Sequence, residues 1–281
     1  QRTVVHNMLQ LSVHFKFAQF IQGENIPKNI EMLQSEVQKR GHRTFMLYLF
    51  ASICVMSGVT GTVTLKGSLF MTENNAVMLM LGMKSLVQVN MDPAKIYWTY
   101  IASRANLINI PHTSPEELVF ARMVCLTRTS DLTGVQILQR AWNNLTPRQR
   151  KEIVDCFMAD GINSQAYVFV FIPLFLANAK SNKEVGIYGA LLTLLSVLRL
   201  LRRTMWQATF MSVYVDIGEL ALLVKSAKGR TAMLKSIPLL KVIQTHRKIS
   251  LLVTPQCWRL ADESDEEDFD DANANATEAA S

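Results

Sequence analysis

Cysteine, proline and glycine are all scarce in this 281-residue chain. The four cysteines, Cys54, Cys125, Cys156 and Cys257, stand far apart and form no Cys-x-x-Cys pair. A disulfide scaffold needs a denser pattern in a smaller chain, so we read them as reduced thiols in a cytoplasmic or nuclear setting, with cytoplasmic favoured. Eight prolines and twelve glycines leave little room for extended or low-complexity stretches before the C-terminal tail. No basic-then-apolar leader with a small-residue cleavage site opens the chain. Gln1 stands where an initiator Met would, and the residues after it already look helical. The expectation is a C-terminal piece of a longer polypeptide.

Catalytic signatures are also missing. Gly58, Gly61 and Gly67 lack both the Lys-Ser/Thr pair of a P-loop and the strand–turn–helix context of a dinucleotide site. Ser57 has no nucleophile-elbow pattern around it. His6 and His14 share a helical face, but zinc needs three or four ligands at short spacings, so they read as packing or surface histidines. Glu116 and Glu117 form a carboxylate pair in a helix first turn, where negative charge complements the macrodipole. Asp131 and Asp160 read as capping or loop residues. No enzyme is favoured, and no cofactor or metal is expected.

What the chain does have is an uneven charge. All 29 Lys and Arg precede Asp262, whereas nine of the 23 acidic residues follow Ala261, eight of them within 262–271. Residues 1–261 thus carry 29 basic against 14 acidic side chains, a net +15, while the whole chain is at +6. A basic body followed by an acidic tail can attract that tail or an outside anion. The candidate binding cations are Lys39, Arg40 and Arg43, which flank Gly41, and Arg199, Arg202 and Arg203 at the end of a long helical stretch. Arg148, Arg150 and Lys151, and Lys225, Lys228 and Arg230, add to the field. Ser264, followed by Asp-Glu-Glu, is a candidate phosphorylation site whose modification would strengthen tail docking. Nucleic acid is disfavoured as a partner, because no helix-turn-helix, zinc-finger or RNA-recognition signature accompanies these charges.

Helix boundaries are written plainly. Asp92-Pro93, Ser114-Pro115 and Thr146-Pro147 each place a side-chain acceptor at the N-cap and a proline at the first helical position. Glu117 and Gln149 complete the capping-box spacing in two of them. Helices are predicted over 93–108, 115–127 and 147–158, with others over 2–22, 28–40, 73–89, 134–145, 163–180 and 184–206. In 2–22, Val5, Leu9, Val13, Phe17 and Phe20 share a face. The stretch 73–89 carries Met78, Met80 and Met83 and is apolar nearly all round, which predicts a central buried helix; its methionines, with Met71 just before, read as core filler over an adaptable groove. Cys54 and Cys156 read as small hydrophobes in apolar stretches. After Trp206 a strand at 210–216, a helix at 219–227 and a hairpin over 242–253 are predicted.

The uncharged run 44–65, flanked by Lys39, Arg40, Arg43 and Lys66, has the length of a transmembrane helix. Its second half, Ser57 to Thr62, is turn-forming and β-branched, so a buried helix ending near Ser57 is preferred.

The expected fold is mainly α: a multi-helix globular domain over 1–207, a small α+β module over 208–260 and a disordered acidic tail over 261–281. The expected function is a non-enzymatic interaction or regulatory domain that binds an acidic protein or anionic surface through its basic face, modulated by the tail. The alternative is an integral or peripheral membrane protein using 44–65 and the stretch 161–201. Oligomeric state is not legible in the chain.

Overall fold

The computed structural model describes residues 2–58, 72–204 and 210–262. The fold is mainly α with a small mixed sheet toward the C-terminus, as expected. The elements run α1 (Arg2–His14), α2 (Phe17–Ile21), α3 (Pro27–Arg40), α4 (His42–Gly58), α5 (Glu73–Val87), α6 (Pro93–Asn106), α7 (Pro115–Leu126), α8 (Leu132–Asn143), α9 (Pro147–Met158), β1 (Ala166–Val170), α10 (Ile172–Ser181) and α11 (Gly186–Thr204). They continue with β2 (Ser212–Asp216), α12 (Gly218–Ser226), α13 (Arg230–Ser236), a 3-10 turn (Ile237–Leu239), β3 (Lys241–Thr245), β4 (Lys248–Leu252) and α14 (Pro255–Ala261).

The three Pro-initiated starts form as their chemistry dictates. Asp92 accepts from the Lys95 amide at 2.8 Å. Ser114 accepts from the Glu117 amide at 3.3 Å while the Glu117 carboxylate accepts from the Ser114 amide at 2.9 Å. Thr146 and Gln149 reciprocate in the same way, at 3.3 and 2.8 Å. Each pair satisfies amides that the first helical turn leaves orphaned.

Two compact units divide the chain. The first takes Gln1–Gln136, Ile153–Val168 and Phe210–Val213; the second takes Ile137–Glu152, Phe169–Thr209 and Tyr214–Ser281. The expected boundary at 207 falls among residues outside the description.

In the first unit α1 packs on α3 and α4, α3 and α5 pack on α6, and α6 packs on α7. The most enclosed helix is α7, where every residue from Val119 to Leu126 is buried. An aromatic group fills the core, with Phe20 centred 5.8 Å from Phe15, 4.6 Å from Tyr100 and 6.4 Å from Tyr97. The single helix expected over 2–22 is two. The chain breaks at Phe15 and Lys16, where the buried Tyr48 hydroxyl donates to the Phe15 carbonyl at 2.7 Å and accepts from the Phe17 amide at 3.1 Å. That side chain replaces helical backbone bonds, so the break leaves these buried groups satisfied. The break also rotates the apolar face. Leu11, Phe15, Phe17 and Phe20 are buried, while Val5, Leu9 and Val13 are exposed. Val5 and Leu9 line an apolar groove of about 350 Å³ with Tyr48, Val55 and Met56.

The expectation of a central helix at 73–89 is corrected. In α5 only Leu79, Gly82, Ser85 and Leu86 are buried, and Val77, Met80 and Val87 face outward. Gly82 seats α5 against α2, since a Cβ there would lie 2.8 Å from the Ile21 side chain. Cys54 is exposed, Cys156 is half-buried, and only Cys125 and Cys257 are enclosed.

In the second unit α11 supplies the longest buried face, with Ile187, Leu191, Leu194 and Leu198 at helical spacing. It packs on α10 and α13, and α10 also packs on α12. Asn178 of α10 and Asn182, its C-cap, donate to the Ala221, Val224 and Ala227 carbonyls at 2.7 to 2.9 Å. The strand order is β1-β2-β4-β3. β4 runs parallel to β2 and antiparallel to β3, with the predicted hairpin turning at His246 and Arg247. Residues 166–170, expected within a helix, form β1. The run Tyr-Val-Phe-Val suits a pleated surface, and its sheet neighbour lies more than forty residues on, beyond the reach of local pattern. Phe171, at φ 72°, then turns the chain into α10, which Pro173 initiates.

Among the described residues no helix is long and apolar enough to cross a membrane. α4 has 17 residues and buries Thr44, Phe45, Tyr48, Leu49 and Met56; residues 59–65 of the apolar run lie outside the described residues. The stretch 161–201 is divided among a loop, β1, α10 and part of α11. Of the tail expected over 261–281, Ala261 instead closes α14 and is buried, Asp262 follows it, and the rest, with Ser264, lies outside the described residues.

Candidate functional site

Of the six cations singled out above, Lys39, Arg40 and Arg43 belong to the first unit and Arg199, Arg202 and Arg203 to the second. Lys39 and Arg40 close the last turn of α3, and both reach the Glu36 carboxylate, at 2.9 and 2.8 Å. The hydrogen bond from Lys39 does most to hold Glu36 below the ordinary carboxylate range, against its burial, and the bond from Arg40 adds to it. Arg40 also donates to Asn7 at 3.1 Å, so it fastens α3 to α1. Arg43, exposed in the first turn of α4, has no partner among the described residues.

The second unit holds a denser group. Arg199 grips Glu152 with two bonds, Nε to Oε2 at 3.0 Å and Nη2 to Oε1 at 3.1 Å. Arg148 approaches the same carboxylate at 3.7 Å. The hydrogen bond from Arg199 comes first in lowering the Glu152 pKa, and the charges of Arg199, Arg202 and Arg148 contribute too. Three guanidinium groups therefore share one carboxylate, with Arg203 exposed one residue beyond. In the same unit, Lys228 pairs at 3.4 Å with Asp262, the first carboxylate of the acidic run.

A second group of arginines escaped the sequence reading. The chain between α2 and α3, Gln22 to Ile26, crosses the interior of the first unit and leaves carbonyls without helical partners. Arg122, 3% exposed, donates to the carbonyls of Gly23 at 3.0 Å, Asn25 at 3.2 Å and Phe157 at 2.6 Å. Its guanidinium lies 5.0 Å from the Phe157 ring and 5.4 Å from that of Tyr97. Tyr97 donates to Gly23 at 2.9 Å and Tyr100 to Ile21 at 2.6 Å. Burial pushes both hydroxyls far above their ordinary range, so they act as donors. Arg104, 6% exposed, donates through Nη1 to the Ile21 carbonyl at 2.9 Å and to Tyr100 at 3.0 Å. Burial also raises the Cys125 thiol, which stays protonated beside these arginines.

Arg128 follows α7 at φ 52° and donates Nε and Nη2 to Gln22 Oε1 at 3.0 and 2.8 Å. Glu24, 8% exposed, is raised to about 7, chiefly by burial, with the Arg128 charge and a Gln19 hydrogen bond opposing. Arg104 and Arg128 both line a pocket of about 340 Å³ whose other walls include Ile21, Met78 and Leu79. The signal for this group was present: Arg104 and Arg122 each interrupt an apolar helical run, where a charge needs a buried partner.

Among the described residues no three His, Cys, Asp or Glu side chains gather to hold a metal ion. His6 is exposed and His14 half-buried. Glu117 serves as the α7 cap, accepting from Thr113 and Ser114, which pulls its carboxyl down to about 2.

A family model described as a family of unknown function, DUF6829, matches residues 1–227. The chain belongs to this family. The matched span contains both arginine groups and stops just before Lys228, so the β3–β4 hairpin and the acidic run lie beyond it. No curated protein and no solved structure matches the chain.

Proposed function

We propose that this DUF6829 chain is a non-enzymatic interaction module that binds an acidic polypeptide segment through the cationic face of α9 and α11. The carrying observation is the crowding of Arg148, Arg199 and Arg202 on the single carboxylate of Glu152. One carboxylate cannot neutralise three guanidinium groups. An incoming Asp- or Glu-rich segment would supply the missing charge and accept the planar, forked donors that arginine presents.

The chain's own acidic run is the competitor in this reading. Asp262 already pairs with Lys228, and the 19 residues after it can extend about 60 Å. Phosphorylation of Ser264 would strengthen its hold on the basic face. The exposed free thiol of Cys54 supports a reducing, cytoplasmic setting.

The test is binding of a labelled poly-glutamate peptide to the full chain, to a chain ending at Asp262, and to R202E/R203E. Removing residues 263–281 is expected to tighten binding at low salt by about tenfold and to steepen its salt dependence. The charge reversal is expected to abolish it. Equal affinity with and without those residues at low salt would remove the competition, and unchanged binding by R202E/R203E would remove the site. Anionic vesicles retained where the peptide is not would point to a lipid surface instead.

A further inference from the structure

Arg104 is a buried cation without a counter-charge among the described residues. It is 6% exposed, yet no carboxylate among the described residues pairs with it. The groups acting on it are the Tyr100 hydroxyl and the Cys125 thiol, both kept neutral by burial. Nη1 serves the Ile21 carbonyl and Tyr100, whereas Nε and Nη2 find no acceptor among the described residues. A buried charge left this way is costly unless something completes it. Arg122 offers the contrast, because all three of its nitrogens reach carbonyls.

The place where a completing group would sit is open. Arg104 and Arg128 line the same 340 Å³ pocket within the first unit. That volume falls at the small end of small-molecule sites, about 300–1,000 Å³. Arg128 is brought there by a left-handed backbone, an uncommon conformation for a side-chain-bearing residue and a strain of about 1 kcal/mol or more. Gln22 takes two of its donors through a single oxygen. Glu24 is the carboxyl whose charge reaches Arg128, and it does not act on Arg104. The rest of the wall sets apolar Ile21, Met56, Met78 and Leu79 beside polar Thr72, Asn74, Asn75 and Ser130. Among the described residues that line it there is no carboxylate.

We propose that this pocket binds a small amphipathic carboxylate, its anionic head between Arg104 and Arg128 and its apolar body along Met56, Met78 and Leu79. A planar carboxylate matches the guanidinium fork and would satisfy the idle Arg104 donors. The flexible Met56 and Met78 thioethers accommodate an unbranched aliphatic body. This site lies in the first unit and is independent of the Arg148–Arg199–Arg202 face.

Isothermal titration of the full chain with octanoate, octanol, octylamine and inorganic phosphate tests it. Octanoate is expected to bind, octanol at least tenfold more weakly, and octylamine and phosphate not at all. Arg128→Gln is expected to weaken octanoate at least tenfold while its melting temperature and circular dichroism match the parent. Arg104→Lys, which keeps the charge but loses the fork, is expected to fall between them. R202E is expected to leave octanoate binding untouched, so failure here and failure of the acidic-peptide reading are distinguishable. Equal binding of octanoate and octanol, no binding of octanoate, phosphate binding alone, or an unaffected Arg128→Gln would each overturn the proposal.

Discussion

Arg122 Nε and the Gly23 carbonyl oxygen meet at 3.0 Å across 99 residues of sequence. With the bonds to Asn25 and Phe157, this one side chain fastens the α2–α3 connection and the end of α9 to the middle of α7. A connection that would otherwise bury bare carbonyls is thereby kept in the interior.

Replacing Arg122 with Leu should strip the Asn25 and Phe157 carbonyls of this donor and leave Gly23 with Tyr97 alone. The expected loss is about 3 to 5 kcal/mol of unfolding free energy, read from urea denaturation followed by circular dichroism. Arg122→Lys should recover little, because a point ammonium cannot reach three divergent carbonyls as a planar fork does. A lysine variant as stable as the parent would show that charge alone holds the connection.

Glu24 should make stability depend on pH in the direction opposite to a salt-bridged carboxylate. Its folded pKa is raised from 4.5 to about 7, chiefly by burial, with Arg128 and Gln19 opposing. The folded state therefore holds its proton more tightly than the unfolded state. Its contribution is fully present below pH 4.5 and is lost as pH rises toward 7, by at most about 3 kcal/mol. Glu24→Gln should flatten the stability curve across that window. An unchanged slope in thermal melts at pH 5 and 7 would assign the titration elsewhere.

Gly161 should not tolerate a side chain. Its φ is +71°, and an added Cβ would lie 2.8 Å from the Ile26 Cδ1 atom and 3.0 Å from the Lys28 Cβ. The turn it makes lets Asp160 accept from the Ile162, Asn163 and Ser164 amides at 2.8 to 3.0 Å. Burial alone would raise the Asp160 carboxyl, but these bonds outweigh it and bring it down to about 2. Gly161→Ala should cost about 1 to 3 kcal/mol by strain and collision together. A melting temperature within a degree of the parent would show that Ile26 and Lys28 yield.

Much of the fold was legible because helix starts are local chemistry. Ser114, Pro115 and Glu117 sit within four residues and specify one geometry wherever the helix ends up, and Asp92-Pro93 and Thr146-Pro147 work the same way. The β3–β4 hairpin was legible for a related reason, since its two strands are joined by two residues. β1 was not, because the partner that makes residues 166–170 a strand is remote in sequence. The candidate site was legible only in part. Arg199 and Arg202 were marked by their spacing, but nothing in the sequence placed Arg148 and Glu152 beside them.

The sequence by itself determined where most helices begin, that the protein is mainly α, and that a basic body precedes an acidic run. Those properties depend on neighbours along the chain or on composition, which no folding event changes. Tertiary structure alone decided that Tyr48 would take over the backbone at Phe15, that Val5 and Leu9 would face a groove, and that Arg104 and Arg122 would be buried. Each of those outcomes turns on a hydrogen bond or contact between residues tens of positions apart. A side chain's burial is fixed by whatever packs over it, and local pattern carries no record of that.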